Sequence, residues 1–262
     1  MSDIFSDKMQ IYWGNILLVA TLLIFGQLAL AQNEPLKING KEVKEYLMEK
    51  YKLRKDDVRS EIQQTPNGPS GKLHINSFER PFTPQNVVIT DTSVQGRVRA
   101  IAQAFLKEDV ALLGITNMDE IREIRIDTTK GREGDYTTVR YSRYIDNLEL
   151  DGVYIRIDIG PDERIIGVNA EIMPAPPELY EAVKKKTLTE DEIRKIVEDD
   201  IKTNPAAKKT LKMAGGSKSL KLEKIAIPST PYVVWKVKSV VWDYTIDAFT
   251  SEILEKHEGW IE

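Results

Sequence analysis

The residues whose types and order most suggest catalysis are His257 and Glu258, which begin a pattern typical of zinc metallopeptidases. Those enzymes use H-E-x-x-H on a helix, where two imidazoles one turn apart hold the zinc and the glutamate activates water. Here Ile261 occupies the position of the second histidine, and the remaining histidine, His74, lies in a distant part of the sequence. The sequence therefore predicts no zinc-dependent hydrolase site.

Other catalytic arrangements have no better support in the residue types. The chain contains no cysteine, which excludes a thiol nucleophile, a disulfide framework and a cysteine-bound metal site. Neither a G-x-S-x-G nucleophile motif nor a P-loop occurs. The carboxylate pairs Asp191-Glu192 and Asp199-Asp200 fall on the polar side of a predicted helix, as a solvated surface does. We therefore expect a protein that is not an enzyme and that binds no cofactor and no metal.

Composition and charge indicate which kinds of molecule the protein could bind. Hydrophobic residues make up 41% of the chain and charged residues 30%, which is typical of a globular protein. The formal net charge of -4 gives no overall electrostatic reason to expect nucleic-acid binding. Lysines are frequent in residues 184–224, but no aromatic residues are interleaved with those near Gly215-Gly216-Ser217. We interpret residues 205–224 as a solvated loop beside a helix.

The N-terminal segment predicts export. An apolar run ends in Ala29-Leu30-Ala31, a pattern typical of signal-peptidase sites, so we expect residues 1–31 to be removed by cleavage between Ala31 and Gln32. The alternative is an uncleaved membrane anchor at residues 11–31, which are numerous and apolar enough to span a bilayer. Both alternatives place the rest of the chain outside the cytoplasm, either as a secreted, periplasmic or cell-envelope protein or as a membrane-anchored protein that faces outward.

Residues 32–86 are polar and turn-rich, with one helical patch, and we interpret them as a lead-in segment. The helices and strands that would position a binding surface come after it. Residues 87–90 are a strand candidate, and the segment from Thr92 to Gln95 has the form of a helix-capping box. The next helix should end at Gly114, because glycine readily adopts the left-handed conformation found after many helices. Its expected buried face consists of Val98, Ile101, Ala102, Phe105, Leu106, Leu112 and Leu113.

Alternating apolar residues predict a run of strands after this helix. The clearest pair is 136–145 with 148–159, joined at Asp146-Asn147, because Asp and Asn tolerate the left-handed backbone of a tight hairpin turn. We expect the helix and an antiparallel sheet to form one α+β domain at residues 87–173. A proline-rich linker is expected at residues 174–187.

The second half repeats this order. Thr189 and Glu192 form another capping box before an amphipathic helix, and the later segments LKLEKIAI, YVVWKVKSVVW, YTIDAF and SEILEK read as strands. We expect a second α+β domain at residues 188–257 and a C-terminal tail at residues 258–262. The predicted fold class is thus α+β, with two tandem units that each pack one helix on an antiparallel sheet.

Several separated motifs in this order resemble the propeptide of thermolysin-family metallopeptidases, in which an FTP (fungalysin/thermolysin propeptide) domain precedes a PepSY domain. The resemblance covers residues 87–257 and implies a cystatin-like or PepSY-like fold for each unit. In the first unit the matching residues are Ala102-Gln103-Ala104-Phe105-Leu106, Leu113-Gly114, Tyr141, Asp146-Asn147 and Gly152. In the second unit they are PYVVWKV at 231–237 and YTIDAFTSE at 244–252, where Ser251 replaces the glycine of the family pattern.

The resemblance implies a non-catalytic protein that binds a separate thermolysin-like metallopeptidase. In the family this region assists folding of the enzyme and inhibits it until it is cleaved away. The segment KHEGWIE is where a family chain would continue towards its protease, so His257, Glu258 and Trp260 are candidate partner-binding residues. A frayed, inert tail is the alternative for these residues.

Aromatic strand residues are further candidates for contacting a polypeptide, since aromatic side chains anchor many interfaces. Tyr144 and Trp242 are the two we select, although packing within the sheet explains aromatic residues in strands equally well. The expected partner is a metallopeptidase or another polypeptide, with no nucleic acid, and with a membrane only if residues 11–31 are retained. The alternative function is an extracytoplasmic binding or scaffold module that has no protease partner.

Overall fold

Helices and strands both contribute to the structure, a computed structural model that describes residues 39–115, 117–132, 134–228 and 230–258. These residues belong to one compact unit, Lys37–Glu262. The described α-helices are α1 Gly40–Tyr51, α2 Val94–Asp109, α3 Pro177–Ala182, α4 Glu190–Lys202 and α5 Pro205–Met213. The strands are β1 Val58–Ser60, β2 Gln63–Thr65, β3 Gly68–Asn76, β4 Ile121–Gly131, β5 Gly134–Ile145, β6 Leu148–Ile159, β7 Ile165–Ile172, β8 Lys221–Ala226, β9 Val233–Lys238, β10 Trp242–Asp247 and β11 Ile253–Glu258.

All of these strands join in one mixed sheet. Its main path runs β1-β3-β7-β6-β8-β9-β10-β11, while β2 pairs with β3, and β5 connects β6 to β4. The pairs are antiparallel except for a short parallel contact between β6 and β8, where Glu149 lies opposite Ile225. The expected mixture of helices and antiparallel strands is confirmed at this coarse level, but a parallel pair joins the two halves of the sheet.

The predicted hairpin at Asp146-Asn147 is confirmed. Its second strand, β6, is long because it pairs with a different strand at each end. Asp146 and Asn147 have φ angles of 47° and 68°, the left-handed values that a two-residue turn of type I′ requires. The end of β6 from residue 154 to 159 pairs with β7, whereas its beginning at residues 149–150 pairs with β8. Strand β6 is therefore shared by both halves of the sheet.

The buried apolar side chains form two clusters, and the β5–β6 hairpin contributes to both. Val139, Tyr141, Ile155 and Ile157 belong to the first cluster, and Ile145, Leu150 and Val153 near the turn belong to the second. Helices α1 and α2 supply the first cluster, and helices α3, α4 and α5 supply the second. Each cluster thus draws on more than the single helix that the sequence predicted.

The segment predicted as a lead-in is instead part of the first core. Val43 and Leu47 of α1 are fully buried, as are Leu73 and Ile75 of β3. A polar cluster fastens α1 to α2, because Asp109 accepts hydrogen bonds from the Tyr51 hydroxyl and, at 2.8 Å, from the Lys50 ammonium. The sequence does not predict this role, because the many polar residues of the segment obscure the apolar periodicity of the short helix α1 and of strand β3, which is paired on both edges.

Helix α2 and the 3-10 turn Val110–Leu113 that follows it bury the expected face and stop at Gly114 as predicted, but the α-helical part already ends at Asp109 and begins differently. The seven predicted core residues are all buried, and Gly114 has a φ of 65°. The capping hydroxyl belongs to Ser93, which accepts a hydrogen bond from the Gly96 amide at 3.0 Å, so the glutamine of the predicted capping box has no reciprocal role. Residues 87–90 form no strand, and Val88 and Ile89 are exposed.

The second half confirms one local prediction and corrects another. Thr189 and Glu192 form the predicted capping box at the start of α4. The lysine-rich stretch at 205–224 is not a loop, because Asn204 caps helix α5 by accepting a hydrogen bond from the Ala207 amide at 3.1 Å. Leu211 of this helix packs into the second core while its lysines face solvent, which is the arrangement of an amphipathic helix.

A buried ion pair lies where the two halves meet. Arg143, in a β-bulge of β5, donates a hydrogen bond to Glu120 at 2.8 Å, and their side chains are 6% and 13% exposed. The guanidinium also donates to the Met173 carbonyl at 3.3 Å and to the Tyr180 hydroxyl at 3.2 Å. We call Arg143, Glu120 and Tyr180 the junction cluster. It links β5 to α3, which lies within the predicted linker at 174–187.

Within the described ranges, no helix is long and apolar enough to cross a membrane. The predicted signal peptide or anchor, with its cleavage site at Ala31 and Gln32, lies outside those ranges.

Candidate binding face

Two of the three candidate residues in the segment KHEGWIE belong to the sheet. His257 and Glu258 lie on β11, opposite Asp243 and Trp242 of β10, and both side chains are exposed. Their backbone is held by strand pairing, so the expectation of a frayed tail is wrong for these two residues. Trp260 lies outside the described residues.

The two aromatic candidates occupy different parts of the sheet. Trp242 is partly buried, and the Lys256 ammonium lies 3.8 Å from its ring centroid. Tyr144 is covered by the Arg122 guanidinium at 4.6 Å and donates a hydrogen bond to Glu149 at 3.2 Å. Burial raises the pKa of the Tyr144 hydroxyl, as does the neighbouring Glu149 carboxylate.

These residues do not form one site. Strands β6, β8 and β9 lie between Tyr144 on β5 and Trp242 on β10. With about 4.8 Å between neighbouring strands, strands β5 and β10 are roughly 19 Å apart. The structure therefore brings Trp242 together with Glu258 and His257 on β10 and β11, but it places Tyr144 in a different part of the sheet.

A different set of residues forms a continuous surface on the first half of the sheet. Residues directly opposite each other on neighbouring strands project from the same face. The register aligns one polar residue from each of six neighbouring strands, from β1 through β3, β7, β6 and β5 to β4, so that each lies opposite the next. We call this set the basic row; in spatial order it consists of Arg59, His74, Asn169, Arg156, Arg140 and Arg125.

Alternation along each strand explains why the basic row is accessible. In β5 the side chains of Val139 and Tyr141 are buried in the first core, so Arg140 between them points to the opposite face. In β6 the buried residues Ile155 and Ile157 place Arg156 on that same open face. Helices α1 and α2 pack with the buried residues on the other side of these strands, as is common for antiparallel sheets.

Carboxylates in the adjacent cross-strand row neutralise some of these cations but not all. Asp158 pairs with Arg156 at 2.9 Å, and Asp127 pairs with Arg125 at 2.5 Å. Among the residues that the structure describes, Arg140 has no carboxylate within 4.0 Å, although it lies directly between Arg156 and Arg125. The centre of the row therefore carries an unneutralised guanidinium.

Two shallow depressions meet along this face. One has a volume of about 300 Å³ and is lined by Ile124, Arg140, Tyr154, Arg156 and Asn169. The other, of about 400 Å³, also includes Arg156 and extends past His74 to Phe78 and Tyr136, whose rings stack with centroids 6.1 Å apart. Ile124 is 49% exposed and Tyr154 38% exposed, so apolar surface lies beside the guanidinium groups.

The chemistry of this face is that of binding. Guanidinium groups, an imidazole and a carboxamide donate hydrogen bonds to carboxylates or other anions, and the aromatic rings offer apolar contact. Within the described ranges, no three His, Cys, Asp or Glu side chains are grouped so that they could hold a metal ion. We call the basic row and its two depressions the binding face.

Sequence reasoning missed the binding face because its residues are aligned only by strand register. Each strand shows the right signal, a polar residue between two apolar ones, as in Val139-Arg140-Tyr141. The sequence does not show which arginine lies opposite which, and a shift by one residue would turn every side chain to the other face.

Comparison with known proteins adds no assignment. No protein-family model matches the chain. No curated protein matches it either.

Proposed function

We propose that this chain is an exported, non-catalytic, propeptide-like protein that binds a separate thermolysin-like metallopeptidase, and that it inhibits the enzyme or assists its folding. The observation that carries the binding role is the binding face, a broad, accessible sheet surface with cationic and apolar groups. The identity of the partner rests on the resemblance to FTP and PepSY domains. Export rests on the predicted signal peptide.

Two features of the fold support a role as a preorganised platform. Strand β6 contributes to both cores, and the junction cluster adds a buried ion pair between β5 and α3. A surface that is ordered before binding loses little conformational entropy when a partner docks, and affinity rises accordingly. In this proposal the two clusters correspond to FTP-like and PepSY-like units that share one sheet.

The position of β11 changes how the predicted tail would act. Among the described strands β11 pairs only with β10, so its outer edge carries backbone groups that an extended segment of a partner could pair with. His257 and Glu258 would then act from a fixed strand rather than from a flexible arm. Any contact of His257 with a partner's metal therefore requires the partner to approach this edge.

The test is inhibition. Residues 32–262 are purified and titrated against a mature thermolysin-like peptidase from the same organism, while cleavage of a fluorogenic peptide and direct binding are both followed. We expect saturable binding with a fall in peptidase activity, or faster recovery of activity when the unfolded peptidase refolds in its presence. Neither binding nor any effect on activity or refolding would contradict the proposal.

Two variants separate the contribution of the tail from that of the sheet. Truncation after Glu258 removes residues 259–262 but keeps β11 intact, and His257→Ala removes only an exposed imidazole. A tail that occupies the cleft makes inhibition weaker in one or both variants. The exposed residue Lys209 on α5 provides the control Lys209→Ala, which should leave inhibition unchanged.

The alternative is an extracytoplasmic binding or scaffold module with no protease partner. It is supported by the same binding face, which does not require the partner to be an enzyme. Retention of residues 11–31 in the mature protein would favour this alternative, and N-terminal sequencing of the exported protein distinguishes the two forms.

A further inference from the structure

We infer that the basic row receives an extended, acidic segment of the partner polypeptide, which lies across the strands and places carboxylates over Arg140 and its neighbours. The inference rests on the proposed function only in taking the partner to be a polypeptide. It specifies where that partner docks and which chemistry it must carry.

The first argument is the arrangement of charge. Like charges directly opposite each other on neighbouring strands destabilise a sheet. Arg140 stands between two arginines and has no carboxylate partner among the described residues, while each of its neighbours has one. A carboxylate from a partner would relieve this repulsion by pairing with Arg140, so binding and charge neutralisation would be coupled.

The second argument is length. The basic row crosses six strands, and five spacings of about 4.8 Å make it roughly 24 Å long. An extended chain advances about 3.3 Å per residue, so a segment of roughly seven residues covers the row. Alternate side chains of such a segment face the sheet, which calls for acidic residues at every second position near its centre.

The third argument is the apolar surface beside Arg140. Ile124 and Tyr154 line the same depression as Arg140 and Arg156, and both are substantially exposed. An aliphatic side chain next to the acidic position would bury this surface, while the guanidinium groups hold the carboxylate. The combination favours a peptide of mixed acidic and apolar character over a free anion.

The same surface is poorly suited to nucleic acid. Asp127 and Asp158 lie in the row adjacent to the arginines and would repel a continuous chain of phosphates. Discrete carboxylates at set positions fit between these charges, whereas a phosphate backbone does not.

The experiment uses residues 32–262 and three fluorescent probes at low ionic strength, with binding followed by anisotropy. The probes are a nonapeptide that alternates Glu with Val, the same peptide with Gln in place of Glu, and a single-stranded DNA of nine nucleotides. We expect saturable binding of the acidic peptide, much weaker binding of the other two, and an affinity that falls as salt screens the charges.

The variants place the site. Arg140→Glu replaces an attraction by a repulsion, and we expect the affinity for the acidic peptide to fall about fivefold to thirtyfold, since exposed ion pairs contribute modestly and the reversal counts twice. Arg140→Gln should give a smaller loss in the same direction. The control Lys209→Glu makes the same change in net charge on α5, away from the sheet face, and should change the affinity less than about twofold.

Each outcome decides the inference. It is overturned if the DNA binds more tightly than the acidic peptide, if no probe saturates up to about 1 mM, or if Arg140→Glu behaves like the Lys209→Glu control. Unchanged unfolding midpoints of the variants exclude loss of fold as the cause of weaker binding. Titration of the metallopeptidase with the same variants separates the two proposals: binding that persists in Arg140→Glu leaves the proposed function intact and removes the basic row from it.

Discussion

The junction cluster offers a sharp test of how the two halves of the sheet are joined. The Arg143 and Glu120 side chains are 6% and 13% exposed, and the Tyr180 hydroxyl donates a further hydrogen bond to Glu120 at 3.1 Å. We predict that Glu120→Ala lowers the free energy of unfolding strongly, because it leaves the guanidinium of Arg143 buried without its counter-charge.

The expected magnitude follows from the burial. Breaking a buried ion pair by removing one partner costs about 3–5 kcal/mol, whereas an exposed pair contributes at most about 1 kcal/mol. Glu120 keeps some contact with solvent, and Arg143 retains two further acceptors, the Met173 carbonyl and the Tyr180 hydroxyl. We therefore expect the lower end, about 3 kcal/mol, for Glu120→Ala.

A double-mutant cycle that combines Glu120→Ala with Arg143→Met measures the interaction energy between the two side chains. Replacing both members by apolar groups removes the need to bury a charge, so the double variant should be more stable than the Glu120→Ala variant alone. The free energies come from equilibrium unfolding in urea, monitored by tryptophan fluorescence and by circular dichroism. A loss below about 0.5 kcal/mol for Glu120→Ala, with additive effects in the double variant, would refute the view that this pair is buried and coupled.

Three further predictions concern stability and use the same unfolding assay. Leu47→Ala should cost about 2–5 kcal/mol, because Leu47 is fully buried, whereas a loose lead-in would show almost no effect. Asn147→Val should cost about 1–2 kcal/mol, since a β-branched residue resists a φ of 68°, and Asn147→Gly should not. Hydrogen bonds from the Arg54 guanidinium and amide hold the pKa of Asp57 below its ordinary value of 3.8, so its stabilisation is present above that pH and is lost as the pH falls through the lower folded-state pKa. Asp57→Asn should therefore cost about 1 kcal/mol at pH 7, and the difference should shrink as the pH falls below 3.8; a difference that stays constant as the pH is lowered through this range would contradict this reasoning.

Local signals in the sequence were sufficient for several elements. The Asp146-Asn147 turn, the capping box at Thr189 and the left-handed Gly114 each depend on interactions within a few residues, and each is present in the structure. The errors arose where polar composition concealed a local pattern. The lysines of helix α5 dominate its segment and favour a solvated loop, although Ala207 and Leu211, four residues apart, form a buried stripe.

The candidate site shows a second limit of prediction from sequence, which comes from strand pairing over long sequence separations. Residues near the end of the chain were selected because a family chain would continue from there, and strand pairing instead holds His257 and Glu258 on an exposed strand. The basic row could not be selected at all, since its members come from six strands that are distant in sequence. Only the register makes them neighbours.

The sequence by itself therefore determined the two main helices α2 and α4, the tight turn at Asp146-Asn147, the apolar faces of the main strands, and that no familiar catalytic motif is present. The tertiary structure alone decided that β6 serves two cores, that Arg143 is buried at their junction, and that Arg140 lies between two arginines with no carboxylate partner among the described residues. The physical reason is the range of the interactions. Caps, turns and alternation act within a few residues, whereas the environment of a charge depends on strands brought together from across the whole chain.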